Sequence, residues 1–312
     1  MIDTVFITGT GRSGTNLLKD IFSNHSDVAS LPFESRYTVD PDGVFDFLRS
    51  YTSWSPFLAN KKINRLTDLL KSLAHRNEAT YDNEDVNVKE PYADWELNKW
   101  IPGYYDSVLQ LETELCTFTY EARYPGSNTH EVHTMDYYSY QKEIVEKVLK
   151  NFLENCNEAI RKDKDCKLLI EDNTWSFIYS NEIMRLLPNS MLIFMMRDPR
   201  DVISSMKNQR WTPNNTSDLI TYYSDLMKVW EEQKQKISEQ SYMEIRFEDL
   251  IADSNEVLRL ICRAINLDFE EGMLDQDMSK SNIGRYVRDL QQEEIEMIEV
   301  ALKDTLEKYE YV

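Results

Sequence analysis

Short apolar runs alternate with amphipathic stretches at both ends of this chain, and a segment between them breaks the alternation. Val5 to Thr8 is apolar and strand-length, Thr15 to Asn24 has helical spacing, and Val28 to Leu31 is a second short strand, which starts a βαβ pattern. Past Asp40-Pro41-Asp42-Gly43 the pattern is lost until about residue 140, with Ile63 to Leu73 spaced as an amphipathic helix and a polar stretch around Asn77 to Asn87. It resumes with a helix from about Tyr140 to Arg161, a strand at Lys167 to Ile170, a helix at about Phe177 to Leu187, and the continuous apolar run Met191 to Met196. Such a run suits the centre of a sheet covered on both faces. Pro199 starts another helix, followed by a long helix from Asp218 to about Lys236, a strand at Met243 to Arg246, a helix through Val257 to Ile265 and a last helix from about Glu293 to Lys308. The pattern predicts an α/β fold: a central parallel sheet flanked by helices on both faces, with ligands at the C-terminal strand ends. A large, mainly helical insertion at about 41–140 is expected as a cap over it.

Length and composition narrow the class. A chain of 312 residues with 41% hydrophobic content can bury one large core, so a single domain over 1–312 is expected. The first apolar run is too short and badly flanked for a secretion signal, and no later stretch approaches membrane-spanning length, which makes a cytoplasmic setting without membrane insertion the expectation. Cys116, Cys156, Cys166 and Cys262 lack paired metal spacing and are expected as reduced core residues. The net charge of −20 repels nucleic acid and anionic membranes, so a polyanionic ligand needs a local cationic pocket. Arg12, Arg197, Arg200, Lys207, Arg210, Arg285 and Arg288 fall in or beside turns and helix starts and are its candidates. Nine of the 18 tyrosines lie between Tyr81 and Tyr140, alongside Trp95 and Trp100, offering either stacking faces for a sugar or aromatic acceptor or ordinary helix packing. His130, His133 and Asp136 have the look of a metal cluster, but Pro125, Gly126 and Ser127 favour a loop and a chance pair, so no metal site is expected.

Chemistry concentrates in residues 4–18, TVFITGTGRSGTNLL, where a strand runs into a glycine-rich turn and then a helix. Gly9 and Gly14 have the spacing of a Walker loop, yet Thr15 stands where its lysine belongs and Asn16 where its magnesium-binding hydroxyl belongs. Arg12 is the one cation in the loop. Backbone N–H groups of Thr10 to Thr15 can still converge on an anion at the helix start, where peptide dipoles favour negative charge. The loop therefore suggests a nucleotide other than ATP with magnesium.

Three segments end strands at one rim: this loop, the turn Leu31-Pro32-Phe33-Glu34-Ser35-Arg36, and Arg197-Asp198-Pro199-Arg200-Asp201. GxGRSGT, PxE and RDPRDVISS in this order resemble the sulfotransferases that use 3′-phosphoadenosine 5′-phosphosulfate (PAPS), as do RFEDLIADSNEVLRLIC at Arg246 to Cys262 and NIGRYVRDL at Asn282 to Leu290. The resemblance covers most of the chain outside the cap and implies the P-loop-like sulfotransferase fold. It further implies that Thr10, Gly11, Arg12, Ser13, Gly14, Thr15 and Asn16 hold the 5′-phosphosulfate, with Arg12 beside the sulfate. Arg197 and Ser205 would hold the 3′-phosphate, Gly284 and Arg285 match the segment that closes over the cofactor, and Glu34 occupies the position of the glutamate base. Arg246 is alternatively structural, paired with Glu248 or Asp249. The implied reaction moves a sulfuryl group to an acceptor hydroxyl or amine without metal and leaves adenosine 3′,5′-bisphosphate; a sugar, lipid headgroup, peptide tyrosine or small alcohol all fit as acceptor. A sulfuryl group carries less charge than a γ-phosphoryl group, so guanidinium and backbone donors suffice where a kinase needs a metal. One departure stands out: many relatives read Glu-Lys-Thr-Pro where this chain reads Glu171-Asp172-Asn173-Thr174. Asp172 and Asn173 then orient the acceptor or Arg12, or a cation such as Arg285 takes the lysine's place. The missing lysine also keeps a non-catalytic nucleotide-binding protein in view, and the Gly9 to Gly14 spacing a P-loop small-molecule kinase.

Overall fold

The computed structural model describes residues 2–51, 56–75, 95–123, 131–138, 141–279 and 281–312. The described residues form seven strands: β1 (Thr4–Gly9), β2 (Val28–Ser30), β3 (Cys116–Ala122), β4 (His133–Tyr138), β5 (Leu168–Asp172), β6 (Ser190–Met196) and β7 (Tyr242–Arg246). Helix α1 (Thr15–Phe22) follows β1. The chain clusters into two compact units, one made of Met1–Glu34, Lys167–Asn181 and Asn189–Val312, the other of Ser35–Cys166 and Glu182–Pro188.

The first unit holds a five-stranded sheet in the order β2-β5-β1-β6-β7, every neighbouring pair parallel. All residues of β1, β5 and β6 are buried, which explains their unbroken apolar runs. Alternation along the pleat sends Val5, Ile7, Ile193 and Met195 into one core with Leu18, Ile21 and Phe22 of α1 and with Leu258 and Ile261 of the helix Ser254–Ile265. Phe194 and Met196 face the other way, against Val202, Ile203, Tyr223 and Trp230. Helices thus cover both faces, as the pattern predicts. Because all five strands run the same way, Gly9, Ser30, Asp172, Met196 and Arg246 end along one edge.

The second unit is helical over most of its described length, with helices Val44–Ser50, Pro56–Ala74, Tyr104–Leu115 and Lys142–Lys164. It also carries an antiparallel β3–β4 ribbon that the sequence pattern does not signal. Tyr104 is fully buried and meets Tyr37 and Phe152 with ring centroids 5.9 and 6.1 Å away, and Tyr138 is also buried, so these tyrosines pack the unit. Tyr81, Tyr92, Tyr124 and Tyr140 lie outside the described residues.

Three local expectations need correction. The helix expected from Phe177 starts as a tighter turn at Ser176–Tyr179 and continues as Ser180–Leu186, stopping before the Pro188 that restricts Leu187. The last helix is two, Gln292–Ala301 and Lys303–Lys308, interrupted at Leu302. All four cysteines are free, but only Cys156 and Cys262 are core residues, Cys116 and Cys166 being half-buried. No described helix is long and apolar enough to cross a membrane.

Candidate active site

The loop after β1 is built by left-handed residues. Gly11, Arg12 and Gly14 have φ of 84°, 58° and 98°, left-handed backbone of the kind from which anion-binding N–H concavities are made, directly ahead of α1. Gly14 caps α1 without a side-chain hydrogen bond. None of the N–H groups of Gly11 to Gly14 donates to an acceptor among the described residues. Ser13 is buried and its Oγ has no hydrogen-bond partner. Packing fixes the loop's shape: a Cβ on Gly14 would sit 2.3 Å from Cδ2 of Phe247. Gly14→Ala is expected to lose about 1–2 kcal/mol to the left-handed backbone and roughly 1–3 more to overpacking, read as a lowered denaturation midpoint. A midpoint equal to the parent's would show that Phe247 does not hold the loop.

Cations gather on this loop. Arg12 Nε donates to Ser205 Oγ at 2.9 Å, and Arg197 Nη1 donates to the carbonyl of Arg12 at 3.2 Å. Arg197 ends the rim after β6, where Asp198 caps the helix Pro199–Met206 by accepting from Arg200 N, with Pro199 in the first turn. The guanidinium of Arg197 is spread widely. Its Nη2 donates to the carbonyls of Ser281 at 3.3 Å and Asn282 at 2.8 Å and to Asp201 at 3.3 Å, while its buried Nε has no partner. Asp201 in turn receives Gly284 N at 2.8 Å and Tyr286 N at 3.1 Å, which draws the late segment over the start of this helix. Arg285 pairs with Asp289 at 2.7 Å. No carboxylate among the described residues pairs with Arg12, and burial, then Arg285, then Arg197 hold its pKa below the usual guanidinium value. That repulsion is unrelieved charge waiting for an anion.

The other candidate cations are spent on structure. Arg200 pairs with Asp198 and Glu299 at 2.8 and 2.7 Å and donates to the carbonyl of Tyr311; Lys207 pairs with Glu294 at 2.6 Å; Arg288 pairs with Asp289. Arg210 is exposed. Arg246 pairs with Asp249 at 3.4 Å, as its structural reading expects.

Glu34, half-buried in the loop after β2, accepts from Thr174 Oγ1 at 3.2 Å. The Thr174 carbonyl receives both Thr8 Oγ1 at 2.9 Å and Gly9 N at 3.3 Å, so Glu34 is tied to the strand that leads into the glycine-rich loop. Asn173 is buried, and its Oδ1 accepts from Trp175 N at 3.1 Å. Asp172 faces α1, with Lys19 Nζ 3.9 Å from its carboxylate. Burial pushes the Asp172 carboxyl up to about 7, with Lys19 opposing and Glu34 adding to the rise.

Sequence reasoning missed Lys19, Thr174 and Trp211. Lys19 follows Thr15 by one helical turn, a spacing that marks a shared face but reads as a solvated charge until α1 packs on β5. Trp211 is half exposed, stands edge-on to Trp175 with centroids 6.1 Å apart, and its ring lies 3.1 Å from where a Cβ on Gly11 would be. Of the suspected metal cluster, His130 lies outside the described residues and His133 opens β4. No group of three or more metal-ligating side chains occurs among the described residues.

A family model described as "Sulfotransferase family" matches residues 4–271. Among solved structures, the sulfotransferase domain of the Synechococcus PCC 7002 olefin synthase is 13% identical, covering 93% of this chain and 82% of that one at a TM-score of 0.48. The sulfotransferase domain from the curacin biosynthetic pathway is 15% identical over 93% of this chain and 83% of its own, with a TM-score of 0.44. A sulfotransferase from Mycobacterium tuberculosis H37Rv is 14% identical over 96% and 76%, with a TM-score of 0.45. No curated protein sequence matches the chain.

Proposed function

The chain belongs to the sulfotransferase family, and on that premise we propose that it transfers a sulfuryl group from PAPS to an acceptor hydroxyl or amine, releasing adenosine 3′,5′-bisphosphate without a metal. One observation carries the donor assignment: three arginines converge on a loop whose N–H groups, Ser13 hydroxyl and Arg197 Nε have no protein acceptor among the described residues. A ligand with an anion at each end fits that set of donors.

When bound, PAPS supplies the activated sulfuryl group. Thr10 to Asn16 cradle its 5′ end through backbone N–H groups and the Ser13 hydroxyl, and Arg12 offsets charge growing on the bridging oxygen. Arg197 Nε and the Ser205 hydroxyl hold the 3′-phosphate, and the segment at Gly284 and Arg285 covers it. Glu34, oriented by Thr174, accepts the proton of the attacking hydroxyl. Trp211, edge-on to Trp175, presents ring surface beside Gly11 for an acceptor.

Thermal unfolding with added nucleotides tests the donor. Adenosine 3′,5′-bisphosphate at a hundredfold excess over its Kd stabilises by about 2.7 kcal/mol, and the shift is expected to be the same with EDTA as with magnesium. A shift by ATP that requires magnesium and that the bisphosphate cannot reproduce would make the chain a kinase instead.

A further inference from the structure

Asp201 lies in the first turn of the helix Pro199–Met206 with its side chain fully enclosed. An acidic residue there is ordinary when it faces solvent and the helix's own N–H groups. Buried, it needs donors, and both of its oxygens find them elsewhere in the chain. Oδ2 accepts from Gly284 N at 2.8 Å and from Arg197 Nη2 at 3.3 Å, and Oδ1 accepts from Tyr286 N at 3.1 Å. The segment that supplies the two N–H groups buries little surface of its own. No residue from Ser281 to Asp289 is buried, and Ile283 and Val287 leave 45% and 68% of their surface in solvent. Asn282 and Gly284 are left-handed, with φ of 51° and 72°. Two arginines add to the hold: Arg197 Nη2 donates to the Ser281 and Asn282 carbonyls, and the Arg200 guanidinium lies over the Tyr286 ring, 4.5 Å from its centre.

We propose that Asp201 is a positioning residue for the donor: one carboxylate seats the segment Ser281–Tyr286 on the helix start and holds Arg197 in the orientation that receives the 3′-phosphate. This rests on the reading of Arg197 as a ligand of that phosphate. The clamp is reciprocal. Asp201 takes N–H groups from the segment, Arg197 donates to its carbonyls, and the two side chains pair with each other. Arg197 Nη1 also donates to the Arg12 carbonyl, so the clamp reaches the loop after β1. Undocking the segment takes from Nη2 two of its three acceptors and frees the guanidinium to turn, so the phosphate is received only while the segment is seated. Linkage makes the converse hold: a phosphate that binds the seated form draws the segment down. The position calls for a carboxylate rather than for any acceptor. Each oxygen faces one N–H group of the segment, so an amide in either orientation turns its NH2 on one of them.

Hydrogen exchange of the whole protein, read at the amides of Gly284 and Tyr286, tests the seating before any nucleotide is added. In Asp201→Asn these amides are expected to exchange about tenfold faster or more, the effect of losing a charged acceptor, while the β1 and β6 amides keep the parent's rates. Gly284→Ala places a Cβ that meets nothing within 4 Å, so it strains the segment alone and should speed the Tyr286 amide by about 5–30-fold. Adenosine 3′,5′-bisphosphate is expected to slow both amides in the parent and to bind both variants more weakly, about tenfold in Asp201→Asn. With p-nitrophenol as acceptor probe, that loss should appear in KM for PAPS more than in kcat. Unchanged exchange at Gly284 and Tyr286 in Asp201→Asn overturns the proposal, and so does exchange that speeds equally in β1 and β6, the mark of a merely structural role. Bisphosphate that binds the parent without slowing these amides, or binds both variants as tightly as the parent, overturns it too and leaves the donor reading standing. Failure of the parent to bind the bisphosphate overturns the donor reading, and this inference with it.

Discussion

Glu34→Gln is expected to lower kcat by about 10²–10⁴-fold, the span a positioned general base contributes, while bisphosphate affinity stays within about twofold. Glutamine is the informative replacement. Its amide oxygen can still accept from Thr174 Oγ1, the contact that orients the parent side chain at 3.2 Å, so shape and tether survive and only proton affinity is lost. Arg12 meets Ser205, Arg197 meets Asp201 and Arg285 meets Asp289, so the replacement at Glu34 leaves these donor-side contacts intact. Single-turnover transfer of labelled sulfate checks this, because it reads the chemical step apart from product release. Equal single-turnover rates in variant and parent would remove Glu34 from the mechanism and leave the base to be sought elsewhere on the rim.

The sheet was legible where burial is two-sided. Met191 to Met196 read as a central strand because both its faces are covered, and β6 is buried at every position. The β3–β4 ribbon was not, because β3 is largely exposed or half-exposed, and no apolar alternation marks a strand that hides so little surface. The break at Leu302 was hidden for the opposite reason: Ile298, Leu302 and Leu306 are all buried at helical spacing, so the pattern runs straight through the interruption. In the site, the turn after β1 could be read from glycines in fixed order, since left-handed backbone leaves a signature in residue type. Contacts made by ordinary residues leave none. Lys19, Thr174 and Trp211 acquire meaning only once α1 packs on β5 and the segment after β5 folds against β1, and the departure at Asp172 had no partner to explain it until Lys19 was in place.

The charge economy of the chain bears on its second large expected effect. A protein of net charge −20 gathers three guanidinium groups on one loop and leaves Arg12, alone of the three, without a described carboxylate partner. Arg197 and Arg285 are partly neutralised, Arg197 anchoring main chain and Arg285 pairing with Asp289, so removing either disturbs binding and local structure together. Arg12 differs. Among the described residues its side chain makes one hydrogen bond, from Nε to Ser205 Oγ at 2.9 Å, which orients the guanidinium and leaves its terminal nitrogens for a ligand. Arg12→Ala is expected to lower kcat by about 10²–10³-fold, the cost of removing one preorganised donor from a developing charge. Folding stability should change little, because the left-handed φ of 58° is already occupied by a residue with a Cβ. Arg12→Lys should recover only part of the rate, since an ammonium cannot donate to Ser205 and to the bridging oxygen from one planar fork. Arg197→Ala provides the contrast: bisphosphate affinity should fall there by more than in Arg12→Ala, and the single-turnover rate at saturating donor by less. If Arg12→Ala instead weakened bisphosphate binding and left that rate unchanged, Arg12 would be a ground-state ligand and the catalytic cation would have to be another residue.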